Sequence, residues 1–148
     1  MKRILFVCTG NTCRSPMAEI ILKDKFKKHQ IKDVQVRSAG LMVNSGDKIN
    51  VNSRKALKSL GLKASGFKPK QLTEQMLKSF DLVLCMTAEH KRYLSGYKNV
   101  FTLGETVGML DVPDPYGKNE QAYIETAKTL DKACEIILKN IIKIKGEK

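Results

Sequence analysis

The sequence lacks a long hydrophobic run. Although 42% of its 148 residues are hydrophobic, no apolar stretch approaches the ~18 residues that a membrane-spanning helix requires. The first eight residues, MKRILFVC, have neither the longer apolar core nor the small-residue cleavage site of a signal peptide. We therefore expect a single domain, residues 1–148, that resides in the cytoplasm and does not bind membranes.

Acidic residues are scarce, and tryptophan is absent. The chain has 27 Lys and Arg against 15 Asp and Glu, a formal net charge of +12. The lysines lie in scattered short clusters with few aromatic residues among them, and no nucleic-acid-binding motif accompanies them. We interpret this charge as a basic, solvated surface that attracts anionic substrates, and we expect no nucleic-acid partner.

The usual patterns of a metal site are also missing. The four cysteines form no C-x-x-C pair, and the two histidines, His29 and His90, stand among lysines and are interpreted as solvated. A metal site is therefore not expected. In a cytoplasmic chain, cysteines outside such patterns indicate catalysis or redox chemistry rather than a disulfide scaffold.

The pattern of apolar residues predicts an α/β fold. Short apolar or alternating segments predict four strands, at 3–7, 34–40, 81–86 and 99–103. Helical patterns alternate with them, and Asn119 is placed to cap a long last helix whose apolar stripe is predicted to pack in the core: Tyr123, Ala127, Leu130, Cys134, Ile137 and Ile141. This alternation predicts a four-stranded parallel sheet with helices on both faces, a flavodoxin-like three-layer architecture.

A short polar loop joins the first strand to the first helix. It has the form C-x5-R-S, from Cys8 to Ser15, and lies where ligands bind in parallel sheets. Gly10 and Asn11 are residues that accept a positive φ, so the loop can curl. Its backbone N–H groups, from Thr9 through Cys13, then form a cradle for an anion at the positive end of the helix dipole.

The side chains of this loop suit phosphoryl transfer. Arg14 offers a planar fork for two phosphate oxygens. The electropositive loop favours the thiolate form of Cys8, which can attack phosphorus in line and form a phosphocysteine that water hydrolyses. Ser15 is placed to donate a hydrogen bond to that sulfur.

A second loop, DVPDPYG (111–117), is expected to supply the proton for the leaving group. Asp114 is the candidate general acid, because Pro113 and Pro115 restrict its backbone on both sides. Asp111 is either a second polar contact or a solvated residue, and Tyr116 either walls the cleft or packs.

Together, C-x5-R-S-P near the N-terminus and D-P-Y before the last helix resemble the low-molecular-weight protein tyrosine phosphatases, in length and order over the whole chain. The resemblance implies Cys8 as nucleophile, Arg14 as phosphate binder, Asp114 as general acid and Ser15 as thiolate stabiliser. It also implies that Asn11 organises the loop with a hydrogen bond from Ser38, and that no cofactor is needed. Cys13 is either a redox partner of Cys8 or an inert small residue.

Thr12 bears on the choice of substrate. Many tyrosine-directed members carry a bulky aliphatic residue there, whereas GNTCRSPMAE with Thr12 resembles the bacterial protein-arginine phosphatases. A hydroxyl at the rim can hydrogen-bond to a guanidinium group or a water, which an aliphatic side chain cannot. We therefore predict a monomeric phosphatase of phosphorylated proteins that favours phosphoarginine, with phosphotyrosine as the alternative.

Two other functions use the same kind of loop. Arsenate reductases relay a disulfide through two further cysteines close together in sequence, whereas Cys85 and Cys134 are predicted to be separate, buried hydrophobic residues. A binding module for phosphorylated proteins or nucleic acid would hold an oxyanion without reaction. Binding alone needs neither the thiol of Cys8 nor the acid Asp114, and this favours the enzyme.

Overall fold

A parallel sheet of four strands forms the centre of the protein. The computed structural model describes residues 3–146. Its strands are β1 Arg3–Cys8, β2 Gln35–Gly40, β3 Leu82–Cys85 and β4 Val100–Thr102, in the spatial order β2-β1-β3-β4. All three pairs are parallel, which confirms the predicted sheet.

Six helices accompany these strands in the described part of the chain: α1 Arg14–Lys28, α2 Val51–Ser59, α3 Glu74–Ser79, α4 Ala88–Arg92, α5 Leu103–Val107 and α6 Glu120–Gly146. None of them has both the length and the apolar composition needed to cross a membrane. The sequence did not predict α5, which is only one turn long. Its signal is a capping box, in which Thr102 and Glu105 bond each other's backbone N–H groups.

The sheet is covered on both faces. Along β1, Ile4 and Phe6 point into one apolar cluster, and Leu5 and Val7 point into another. Helices α1, α2 and α6 contribute to the first cluster, and the second contains Leu77 of α3. Burial on both faces explains why β1 is apolar without interruption, and the predicted three layers are confirmed.

The last helix packs as its sequence predicts. All six residues of its predicted stripe are buried. The side chain of Asn119 accepts the N–H of Ala122 at 3.0 Å, as expected of a helix cap. In the sheet, Cys8 pairs with Gly40 and Val7 with Cys85. The loops that follow β1, β2 and β3 therefore emerge side by side at one edge.

Candidate active site

The loop between β1 and α1 turns its carbonyl groups outward. The carbonyl oxygens of Cys8, Thr9 and Thr12 accept backbone N–H groups of segment 41–50 at 2.9–3.0 Å. No backbone N–H of residues 9–13 donates to another residue in the described chain. These donors lie at the start of α1, so the loop presents an unsatisfied ring of N–H groups of the kind that binds an anion.

The curl of the loop depends on Asn11 and not on Gly10. Asn11 has a φ of 55°, as expected, whereas Gly10 is not among the residues with a positive φ. The prediction for Gly10 was therefore wrong, because one left-handed residue is enough to turn the chain. Sequence reasoning missed the role of Gly40, where a Cβ would lie 2.8 Å from the carbonyl oxygen of Thr9. Only glycine lets β2 approach the loop so closely.

A buried chain of hydrogen bonds supports the loop from below. The Ser38 hydroxyl donates to Glu19 Oε1 at 2.6 Å, and the Asn11 amide nitrogen lies 2.9 Å from Ser38 Oγ. The same amide nitrogen lies 2.8 Å from Ser15 Oγ, which lies 2.8 Å from Cys8 Sγ. The predicted contact between Asn11 and Ser38 is thus present in the structure, with Asn11 rather than Ser38 as the donor, and Glu19 extends it.

The chemistry of these groups sets the direction of the chain. The backbone N–H of Lys70 donates to Asn11 Oδ1 at 2.8 Å, so the amide nitrogen of Asn11 must face the two serines. The carboxylate of Glu19 accepts a hydrogen bond from Ser38, and this bond uses the only proton of that hydroxyl. Ser15 Oγ then accepts from Asn11 and keeps its own proton for Cys8 Sγ. The network therefore orients a hydrogen-bond donor toward the sulfur.

Arg14 and Asp114 meet across the same site. Arg14 Nη1 donates to the carbonyl of Val112 at 3.1 Å, and Nη2 lies 3.5 Å from Asp114 Oδ2. The Arg14 side chain is only 5% exposed, whereas that of Asp114 is 49% exposed. Arg14 Nε is buried and has no partner in the described chain. A buried donor of this kind needs an acceptor, and an oxyanion in the loop would supply one.

A cavity of about 460 Å³ joins these groups. Of the residues predicted from the sequence, the cavity is lined by Cys8, Thr9, Gly10, Thr12, Cys13, Arg14, Asp114 and Tyr116. Asn11, Ser15 and Ser38 lie beneath it in the buried network. The sequence did not predict five further lining residues: Met42, Asn44, Asp47, Lys48 and Asn50. They follow the carboxyl end of β2, beside β1, and that placement is the signal for them.

Around the acid loop (111–117), one expectation changes and one open alternative is decided. His90, interpreted as solvated, is 5% exposed, and its ring contacts the hydroxyls of Thr9 and Thr87. That interpretation was wrong because the polar neighbours of His90 conceal a helix face that packs against the loop after β1. Asp111 is outside the cavity lining. Its carboxylate accepts the N–H of Ala88 at 2.9 Å and so fixes the acid loop to the start of α4.

The four cysteines are free thiols with different surroundings. Cys85 and Cys134 are fully buried, as predicted. Burial raises the pKa of Cys85 to about 12 and also raises the pKa of Cys134. Burial likewise raises the pKa of Cys13, and a hydrogen bond with the Tyr123 hydroxyl opposes this by a smaller amount. Inert, buried thiols at positions 85 and 134 do not suit a disulfide relay.

Comparison with known proteins decides the family. The sequence matches the model of the low molecular weight phosphotyrosine protein phosphatases over residues 3–146. The chain belongs to this family. Like its members, this phosphatase is a cysteine-dependent enzyme that acts on phosphorylated proteins.

Relatives of this phosphatase have two named specificities. A protein-arginine-phosphatase of Bacillus subtilis (strain 168) is 37% identical, with 95% of this chain and 97% of the relative covered. The low molecular weight protein-tyrosine-phosphatase YfkJ of the same strain is 33% identical, with 98% and 99% covered. A solved structure of the YwlE arginine phosphatase, a mutant with a phosphorylated active-site serine, has a TM-score of 0.89 and 36% identity, with 95% and 96% covered.

Proposed function

We propose that this phosphatase hydrolyses phosphoarginine side chains of proteins through a phosphocysteine on Cys8. The observation that carries the proposal is the meeting of a thiol, a buried arginine and a half-exposed carboxyl group around one cavity. Binding a phosphate requires only the loop and Arg14. The donor aimed at Cys8 Sγ and the acid beside Arg14 have a use only when a bond to phosphorus is exchanged.

In the first step, Cys8 Sγ attacks phosphorus as a thiolate while the bond from phosphorus to the leaving group breaks. The loop N–H groups and Arg14 neutralise the charge on the equatorial oxygens. The proton of Asp114 passes to the leaving nitrogen, or to oxygen in an aryl phosphate. The Ser15 hydroxyl stabilises the negative sulfur before attack.

In the second step, water attacks the phosphocysteine. Asp114, now a carboxylate, accepts a proton from that water as the oxygen bonds to phosphorus, and the sulfur leaves as a thiolate. Ser15 stabilises the leaving sulfur just as it stabilised the nucleophile. Products are inorganic phosphate and the original enzyme, so the cycle needs no oxidant, reductant or metal ion.

The preference for phosphoarginine rests on Thr12. Its side chain lines the cavity. The B. subtilis relative named protein-arginine-phosphatase supports phosphoarginine as the substrate. A threonine hydroxyl can bond to the polar guanidinium leaving group. Tyr116 favours the second candidate, phosphotyrosine, because its ring lines the same cavity with 72% of its surface exposed and can stack on an aryl group.

The deciding experiment compares kcat/KM for a phosphoarginine peptide and a matched phosphotyrosine peptide. We expect the native enzyme to prefer phosphoarginine and Thr12→Ile to lose that preference, while both turn over p-nitrophenyl phosphate. A native preference for phosphotyrosine would overturn the substrate assignment and leave the phosphatase chemistry intact. As a control on the nucleophile, Cys8→Ser should bind phosphate but abolish turnover; hydrolysis at the native rate would exclude Cys8.

We place the enzyme in the cytoplasm, acting on phosphorylated proteins there. All four cysteines are free thiols, a state that the reducing cytoplasm maintains. Cys13 lies next to Arg14 in the loop and is a candidate partner for Cys8 under oxidation. Such a disulfide would block the nucleophile reversibly and protect it from further oxidation.

A further inference from the structure

The imidazole of His90 joins the loop after β1 to helix α4. Its Nε2 lies 2.9 Å from Thr9 Oγ1, and its Nδ1 lies 3.0 Å from Thr87 Oγ1. Thr87 is the N-cap of α4 and also accepts the backbone N–H of His90 at 3.2 Å. Both ring nitrogens are therefore engaged. Thr9, at the other end of this link, is the residue directly after Cys8 and lines the cavity.

Burial and the nearby Arg14 favour the neutral form of the ring. Burial and the nearby Arg14 lower the pKa of His90, and the opposing effects of Glu89, Asp114 and Asp111 are smaller. A neutral imidazole carries one N–H and one acceptor nitrogen, so it matches two hydroxyl partners without adding a second positive charge beside Arg14. The ring is thus a fixed polar bridge between the loop and α4.

Helix α4 also holds the acid loop, through the bond from Ala88 N–H to Asp111. One short element therefore contacts the loop that carries Cys8 and the loop that carries Asp114. We propose that His90 is a positioning residue of the phosphatase reaction: by holding the Thr9 hydroxyl, it fixes the first turn of the catalytic loop relative to the acid loop. The inference rests on the proposed roles of these two loops.

This role differs in its substrate dependence from that of Thr12. A residue that positions the loop affects the attack on every substrate, whereas a residue at the rim affects the choice of leaving group. Disturbing His90 should therefore reduce turnover of p-nitrophenyl phosphate and of a phosphoarginine peptide by the same factor. The ratio of the two kcat/KM values should stay at its native value.

Two isosteric variants separate the two ends of the bridge. The amide of His90→Gln reaches the position of Nε2 and keeps the bond to Thr9, while that of His90→Asn reaches only the position of Nδ1, toward Thr87. We expect His90→Asn to lower kcat/KM about 3–10-fold on both substrates, the loss of one hydrogen bond. His90→Gln should keep most of the native kcat/KM. The matched control, His29→Asn at an exposed histidine, should have the native kcat/KM.

The isosteric Thr9→Val removes the other partner. Thr9→Val should lower kcat/KM by the same factor as His90→Asn. In the variant that carries both changes, kcat/KM should fall no further than in the more affected single variant. Additive losses of kcat/KM in the double variant, or equal losses in His90→Gln and His90→Asn, would overturn the proposal.

If His90→Asn does not fold, 15N NMR of the His90 ring tests the same contact. Thr9→Val should shift the Nε2 signal, and an unchanged Nε2 signal would exclude the contact. Since all arms include p-nitrophenyl phosphate, failure of the phosphoarginine assignment leaves this test intact.

Discussion

Glu19 and Asp24 lie on the same helix, α1, but we expect their replacement by alanine to lower stability to very different extents. Glu19 is 3% exposed and accepts the Ser38 hydroxyl and Lys23. Asp24 pairs with Lys28, whose side chain is 69% exposed. Replacing either acid with alanine raises helix propensity, and by less for Glu than for Asp. Both gains are below about 0.7 kcal/mol, so a larger loss of stability in Glu19→Ala reports on the buried carboxylate.

The magnitudes follow from these surroundings. Loss of Glu19 removes a hydrogen bond to a charged acceptor, worth about 1.5–3 kcal/mol, and leaves the buried Ser38 hydroxyl without its acceptor. Loss of Asp24 removes a surface ion pair worth about 0–1 kcal/mol. We therefore expect Glu19→Ala to lower the free energy of unfolding by about 2–3 kcal/mol, or roughly 4–12 °C in Tm.

Urea unfolding and kcat for p-nitrophenyl phosphate measure the two consequences. Without Glu19, Ser38 loses its acceptor and the Asn11 amide that it contacts is held less firmly, so the Ser15 hydroxyl is less precisely placed for Cys8 Sγ. We expect kcat to fall about tenfold, the equivalent of a hydrogen bond of ~1.4 kcal/mol. Ser38→Ala combined with Glu19→Ala should cost less than the sum of the single changes. Equal stability of Glu19→Ala and Asp24→Ala would refute the reasoning.

Three further predictions concern the loops and the ring. Gly40→Ala should lower the free energy of unfolding by about 1–3 kcal/mol, because its Cβ would overlap the loop after β1. Urea unfolding should show a clearly smaller decrease for the control Gly10→Ala. Asp114→Asn should lower kcat by about 10²–10⁴-fold while phosphate inhibition persists; an unchanged kcat would remove Asp114 as the acid. The pKa of His90 is lowered on folding, so its contribution to stability is complete above the unfolded value of about 6.5 and falls as pH drops below it. Urea unfolding at a series of pH values should show a smaller loss of stability below pH about 6.5 in His90→Gln than in the native protein. Equal pH dependence in the two proteins would contradict the lowered pKa of His90.

The parts of the site that the sequence predicted are those with local signals. The C-x5-R-S loop sits between an apolar run and a helix, and the two prolines around Asp114 mark a rigid turn. Each signal lies within about ten residues of the group it identifies. The position of the first loop also followed, because ligands bind at the carboxyl ends of parallel strands.

The rest depends on which strands are neighbours. Segment 41–50 holds the loop after β1 because β2 lies directly beside β1, and His90 reaches Thr9 because β3 lies on the other side. A pattern of apolar residues predicts strands but does not order them. Gly40 looked like the end of a strand, and only the distance to the loop after β1 shows why a side chain is excluded there.

The central position of β1 therefore explains why the loop after it can leave its N–H groups without partners in the described chain. On one side, backbone N–H groups of segment 41–50 donate to the loop's carbonyl oxygens, and the N–H of Lys70 donates to the side-chain oxygen of Asn11. On the other side, the ring of His90 forms a hydrogen bond with the Thr9 hydroxyl. With these partners outside, the N–H groups are left to face inward. Damage to these outer supports should weaken phosphate binding together with turnover, because the cradle itself opens. Loss of Asp114 should reduce turnover without weakening phosphate binding, since that carboxyl group supplies the proton and is not part of the cradle.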